Sequence, residues 1–290
     1  MNSRTLVFGL AVVSGLVFAS GVFGQSTNVT FPAPSPACTL KQRVGLTDIQ
    51  IEYSRPSAKG RQIFGGLLPY GEVWRAGANA ATKITFSTPV KLNGTEVPAG
   101  TFALFAIPGQ DEWTIIIGKG PQQWGAYSYS PTNDIVRVPA RPRTLTAPIE
   151  TFVIEFNNIH DQSATLNLAW ENTLVPIKLE VDVAATLVPQ IDAAIAAVGG
   201  KSANLYYSSA LFYYENGLDL NKALPWANEA VKLNTNAPYM MLLNARIQAK
   251  LGHKNEAIAA AKKTSELGVK AEGPKSGFVK MSADLITSLQ

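Results

Sequence analysis

Arg55, Arg61 and Arg75 crowd together with Tyr70, Trp74 and Asn79 in the run from Tyr53 to Phe86, YSRPSAKGRQIFGGLLPYGEVWRAGANAATKITF. A guanidinium is a planar fork suited to paired hydrogen bonds with a carboxylate or phosphate. Tyr70 and Trp74 offer rings that stack on a sugar, another ring or an arginine plane, and Asn79 is both donor and acceptor. Gly60, Gly65, Gly66, Gly71 and Gly77 let the backbone turn or approach something closely. As a site, the set suits an acidic metabolite, a carboxylated sugar or a peptide terminus. As scaffold, it suits a polar network. Asp48, Glu52 and Glu72 are near enough in sequence to neutralise the arginines and pin a long loop. The sequence leaves both open.

For catalysis, Glu72 beside Trp74-Arg75 is the first candidate acid or base, and His160 the second. Paired catalytic carboxylates need a separation of about 5–9.5 Å, which spacing along the chain does not give. No GxSxG elbow, P-loop, GxGxxG fingerprint, HExxH or paired-cysteine spacing occurs. The two histidines are His160, in a hairpin turn, and His253, at a helical turn. No metal site and no cofactor is expected. A second aromatic-rich stretch holds Trp113, Trp124, Tyr127 and Tyr129. It reads as an exposed loop between strands that either walls a carbohydrate groove or packs on a sheet.

Short strands must position these residues. Alternation marks Val44–Tyr53 and Thr82–Ser87, and further strands bounded by turns are read at Thr101–Ile107, Glu112–Ile117, Ile135–Val138, Ile149–Phe156, Ser163–Trp170 and Thr173–Glu180. Asn93-Gly94, after Val90, is a hairpin signal. About nine strands on short turns, with no helical crossovers, predict antiparallel sheets, as a β-sandwich rather than a closed barrel. Pro176 predicts an edge position or bulge.

Past Ala184 the period becomes helical. Helices are predicted over Leu187–Val198, Ala203–Tyr214, Leu220–Leu233, Pro238–Leu251 and Asn255–Leu267. Ser202 and Asp219 are placed as caps, and Gly199-Gly200 and Gly268 as stops. Ala223, Leu224 and Ala227 recur 34 residues later as Ala257, Ile258 and Ala261, so residues 201–268 resemble two tetratricopeptide repeats. Two repeats are few for a free-standing solenoid. The unit is expected to dock on the sheets or on another chain. Its aromatics, Tyr206, Tyr207, Phe212, Tyr213, Tyr214 and Trp226, serve as core or as a peptide-binding or homodimer surface.

Arg4 followed by an apolar run from Leu6 to Phe23 reads as a signal peptide over residues 1–24, which implies a periplasmic or secreted protein with no membrane span after cleavage. A proline- and serine-rich leader over 25–40 leads to a sandwich domain over 41–184 and a helical domain over 185–290. The lone Cys38 allows no internal disulfide. A net charge of +4 without a Lys/Arg block argues against a nucleic-acid partner.

From Ile51 to Gly109 the chain closely resembles the bacterial family known as domain of unknown function 2911, and the similarity extends over about residues 38–180. The resemblance implies a secreted or periplasmic protein. It brings no activity and no functional residue. The function expected is therefore a secreted or periplasmic binding or assembly module. Its arginine-rich segment is structural or holds an anionic or carbohydrate small molecule, and its helices contact a protein. The alternative is a periplasmic hydrolase acting on carbohydrate or an acidic small molecule.

Overall fold

Among the described residues, ten strands come first, between Ala37 and Val181. The computed structural model describes residues 30–290; the expected signal segment and the start of the leader lie outside them. The strands are β1 (Ala37–Val44), β2 (Thr47–Ser54), β3 (Thr82–Phe86), β4 (Val90–Leu92), β5 (Thr95–Val97), β6 (Gly100–Ile107), β7 (Trp113–Gly118), β8 (Asp134–Ala140), β9 (Arg143–Asn157) and β10 (Ser163–Val181). All named pairings are antiparallel. They form a six-stranded sheet, β1-β2-β3-β6-β7-β8, and a four-stranded sheet, β5-β4-β10-β9. The alternating residues that predicted strands make the core between them. Ile49, Ile51, Ile84, Leu104, Ile115 and Ile117 come from one sheet, and Ile154, Leu166, Leu168, Ile177 and Leu179 from the other. Each such side chain stabilises by roughly 1.5–3 kcal/mol when buried. The antiparallel sandwich expected from the pattern is the architecture found.

Three local features differ from the expectation or refine it. β1 opens at Ala37, inside the segment expected to be a leader, with only Val44 fully buried. It is an edge strand, so its alternation is weakly apolar. β10 is a single run of extended residues that doubles back. Val181 N donates to Gln162 O, so its two ends are neighbours, and the reversal falls where Glu171 takes a positive φ of 52°. The two strands expected over Ser163–Glu180 are the arms of this reversal. Asn93 and Gly94, both at positive φ, turn β4 into β5 as their types require.

Between β2 and β3 the chain leaves the first sheet and reaches the second. Ala58 N donates to Glu150 O and Phe152 N to Pro56 O, and a bridge joins Ser57 to Thr151. This covers the free edge of β9, which would otherwise present unpaired backbone groups. The chain then returns along β6, where Trp74 exchanges two backbone bonds with Ala106.

Six helices follow: α1 (Val183–Val198), α2 (Ala203–Glu215), α3 (Leu220–Leu233), α4 (Pro238–Lys250), α5 (Lys254–Glu272) and α6 (Gly277–Ser288). Asp182, Ser202 and Asp219 each accept a backbone N–H as N-caps, and Gly199 ends α1 in the left-handed conformation. Each of α2 to α5 packs on the next helix in sequence, as does α5 on α6. Ala223, Ala227, Ala257 and Ala261 are all buried, where small side chains let helices approach closely. α6, with only Ser282 fully buried, was not expected from the sequence, although Phe278, Met281 and Leu285 give it an apolar stripe at helical spacing.

Candidate functional site

The dense segment faces two ways. Inward, Phe64 and Trp74 join Trp113, Phe152 and Trp170 in a cluster of rings at the end of the sandwich where β6 finishes. Trp74 stacks on Trp170 at 6.0 Å and meets Phe152 edge-on at 4.9 Å. Both indole N–H groups are satisfied, Trp74 Nε1 by Gly77 O at 3.0 Å and Trp170 Nε1 by Glu150 O at 3.1 Å. Tyr53 Oη bridges the sheets, accepting from Ile154 N at 3.0 Å, and burial raises its pKa. Trp74, 5% exposed, is a core residue rather than a platform for a ligand.

The arginines do not use the carboxylates near them in sequence. Asp48 pairs with Arg43 and Glu52 with Lys83. Among the described residues, no ion pair includes Arg55, Arg61 or Arg75. Arg55 Nε donates to Phe152 O at 3.0 Å. Arg61 donates to Ala58 O at 2.9 Å and to Ser57 O at 2.7 Å. Both therefore fasten the stretch that crosses to the second sheet, through carbonyl oxygens. Asn79 Nδ2 donates to Ser35 O and Ser54 Oγ, each at 3.2 Å, tying the segment to the start of the first sheet. Thr82 Oγ1 donates to Ala76 O at 2.7 Å and holds Ala76 at a positive φ of 48°, a conformation costly for a residue with a Cβ. Arg75 is half-buried, and its Nε has no partner among the described residues.

Outward, Tyr70 and Glu72 reach the surface. Gly71 N bonds to Pro108 O, which fixes this stretch at the end of β6. His160 is exposed at the opposite end, in the β9–β10 turn, where the neighbouring Asp161 carbonyl lies against Gly45 of the β1–β2 turn. The length of β6 separates Glu72 from His160, so the structure does not bring these two together. Among the described residues no group of three His, Cys, Asp or Glu side chains is placed to hold a metal.

Above the ring cluster lies a cleft of about 200 Å³. Phe64 and Trp113 form its floor, and Tyr70, Gln110, Arg143, Thr144 and Thr173 are among its walls. Arg143 opens β9 and is the single charged residue of the lining. It makes no ion pair among the described residues. Tyr70 is 42% exposed, and its ring rests on Gly65, where a Cβ would come within 2.7 Å of Cε2. Gly65, at a positive φ of 79°, makes room for the ring and supplies the turn. Of the residues singled out in the sequence, Tyr70 and Trp113 line this cleft, Trp113 as a buried residue of β7 rather than as part of an exposed loop. Arg143, Gln110 and Thr173 are remote from Tyr70 in sequence, and only the folding of the strands brings them near.

The family model described as a protein of unknown function (DUF2911) matches residues 35–179. The chain belongs to this family. The DUF2911 match runs from just before β1 to near the end of β10, so it takes in both sheets and the dense segment and leaves the six helices outside. No curated protein matches the chain. A larger recess of about 830 Å³ lies where the DUF2911 sandwich meets the start of α1, lined by residues that include Lys91, Glu96, Glu180 and Asp182. These charges are already engaged. Lys91 pairs with Glu96, Glu180 with Lys178, and Asp182 caps α1. The smaller cleft, polar-walled and holding an unengaged guanidinium, is the better candidate.

Proposed function

We propose that this DUF2911 protein is a binding module of the cell envelope that takes a small carboxylate-bearing or otherwise anionic molecule in the cleft between Tyr70 and Arg143. The observation that carries the reading is the lining itself. One guanidinium without an acidic partner stands beside a phenol, two threonines and a glutamine, with the nearly buried rings of Phe64 and Trp113 beneath. A guanidinium in that setting forms charge-assisted hydrogen bonds with an anion, and the polar neighbours orient it. The envelope location rests on the residue pattern of positions 1–24, and no helix among the described residues is long and apolar enough to cross a membrane. The helical region, whose repeated small residues resemble tetratricopeptide repeats, serves in this reading to contact a protein partner or a second copy. The hydrolase alternative draws no support from geometry, because Glu72 and His160 sit at opposite ends of the sandwich and neither lines the cleft.

Calorimetric titration with sulfate, succinate and glucuronate tests the reading. Binding of at least one anion is expected, weakened about tenfold or more in Arg143→Met and less in Tyr70→Phe, with thermal melting unchanged in both. Binding that survives Arg143→Met, or no binding by any of the three, would overturn it.

A further inference from the structure

A second surface of different chemistry lies on the outer face of the six-stranded sheet. The chain between β7 and β8 folds back over Phe105 and Ile116 and is secured at several points. Ala81 N donates to Gln123 O, Gly125 N to Asn79 O and Lys119 N to Asn133 O. Tyr129 is its anchor. The ring packs edge-on to Phe105 at 5.3 Å, and its hydroxyl donates to Asp134 Oδ2 at 2.9 Å and accepts from Arg137 Nη2 at 2.8 Å. The loop is therefore a fixed shape. Two aromatic rings of this fixed loop are nonetheless left in solvent: Trp124 is 67% exposed and Tyr127 is 86% exposed. Gly125, between them, has a positive φ of 66°, and the Tyr127 ring lies against it, where a Cβ would be 2.8 Å from Cε2. The backbone is thus shaped to lay that ring down on the surface.

The composition around the rings narrows what they meet. From Gly120 to Asn133 (GPQQWGAYSYSPTN) there is no Lys, Arg, Asp, Glu or His, and no Leu, Ile, Val or Met. Lys119 and Arg137 flank the stretch, with Arg137 tied to Asp134, and a stretch with no charge of its own gives a charged polymer no block of charge to hold. Nor does a patch without aliphatic side chains supply the apolar centre of a protein interface. Exposed aromatic faces set among amides and hydroxyls match a sugar ring, whose C–H face stacks on an aromatic ring while its rim of hydroxyls hydrogen-bonds. Gln122 and Ser128, both exposed, stand beside the rings to meet those hydroxyls. We infer that Trp124 and Tyr127 form a binding platform for a neutral polysaccharide chain, separate in place and chemistry from the Tyr70–Arg143 cleft.

The test is affinity electrophoresis and tryptophan-fluorescence titration of the purified protein against dextran, β-glucan, mannan and arabinoxylan, with alginate as an anionic comparison. At least one neutral polymer is expected to bind. Trp124→Ala and Tyr127→Ala should each weaken it about tenfold or more, while Arg143→Met leaves it unchanged. Both aromatic variants should melt like the parent, because neither ring is packed. Retention of binding in the Trp124→Ala/Tyr127→Ala double variant, binding of alginate alone, or no binding to any neutral polymer would each overturn the inference.

Discussion

Trp74 and Trp124 sit in two loops that touch each other, and the protein uses them in opposite ways. The dense segment between β2 and β3 turns its tryptophan inward, stacks it on Trp170 and commits Arg55, Arg61 and Asn79 to backbone carbonyls and a serine hydroxyl. The loop between β7 and β8 commits one ring, Tyr129, to the core and leaves Trp124 and Tyr127 in water. One loop is scaffold that holds the sandwich closed at an edge, and the other is scaffolded. Unusual residue types do not by themselves mark a site. What distinguishes the two is whether each polar or aromatic group already has a partner inside the protein.

Substitution at these positions separates the two roles. Trp74→Ala should cost about 3–5 kcal/mol of folding stability, the range for emptying a large buried ring site, whereas Trp124→Ala should stay within about 0.5 kcal/mol; urea denaturation reads both. Equal effects at the two sites would erase the contrast. A smaller loss, about 1–3 kcal/mol, is expected for Thr82→Val, which deprives the buried Ala76 carbonyl of its donor. Arg55→Met should fall in the same range through the Phe152 carbonyl. If Arg55→Met were silent in denaturation, the segment would be less of a clamp than its hydrogen bonds indicate.

The smallest expected effect is electrostatic. Glu52 is held below the usual carboxylate range by its hydrogen bonds from Lys83 and then from Gln50. A folded-state value below the unfolded one means the stabilisation is present above about pH 4.3 and fades as pH falls through the lower folded value. Both partners are about a third exposed, so the pair contributes less than about 1 kcal/mol. Urea midpoints followed from pH 7 to pH 3 should decline slightly less steeply in Glu52→Gln than in the parent. A steeper decline in the variant would contradict the assignment.

Much of the fold was legible because burial alternates wherever a strand has one face in the core. Thr47–Ser54 and Thr82–Phe86 read correctly for that reason, Trp113–Gly118 did so as a short apolar run buried on both faces, and the Asn93-Gly94 turn through its backbone preference. β1 was hidden because an edge strand buries little, and Cys38 and Leu40 are only partly covered. The dense segment was visible as unusual, but the partners of Arg55 and Arg61 are main-chain carbonyls, a group every residue carries, so no residue type announced them. The cleft was less legible still. Tyr70 and Arg143 come from distant parts of the chain, and nothing in either neighbourhood points to the other. The exposed aromatic stretch was recognisable by composition, while the division between the anchored Tyr129 and the free Trp124 and Tyr127 needed the packing of Phe105.

The central claim, that the dense segment is scaffold and that small anions are taken by the cleft above it, is tested most directly by a crystal structure of the protein soaked with succinate. The account predicts density between the Arg143 guanidinium and the Tyr70 hydroxyl, with Arg55 and Arg61 still bonded to the carbonyls of Phe152, Ser57 and Ala58. Density at Arg75, or displacement of Arg55 or Arg61 from those carbonyls by the ligand while the cleft stays empty, would contradict it.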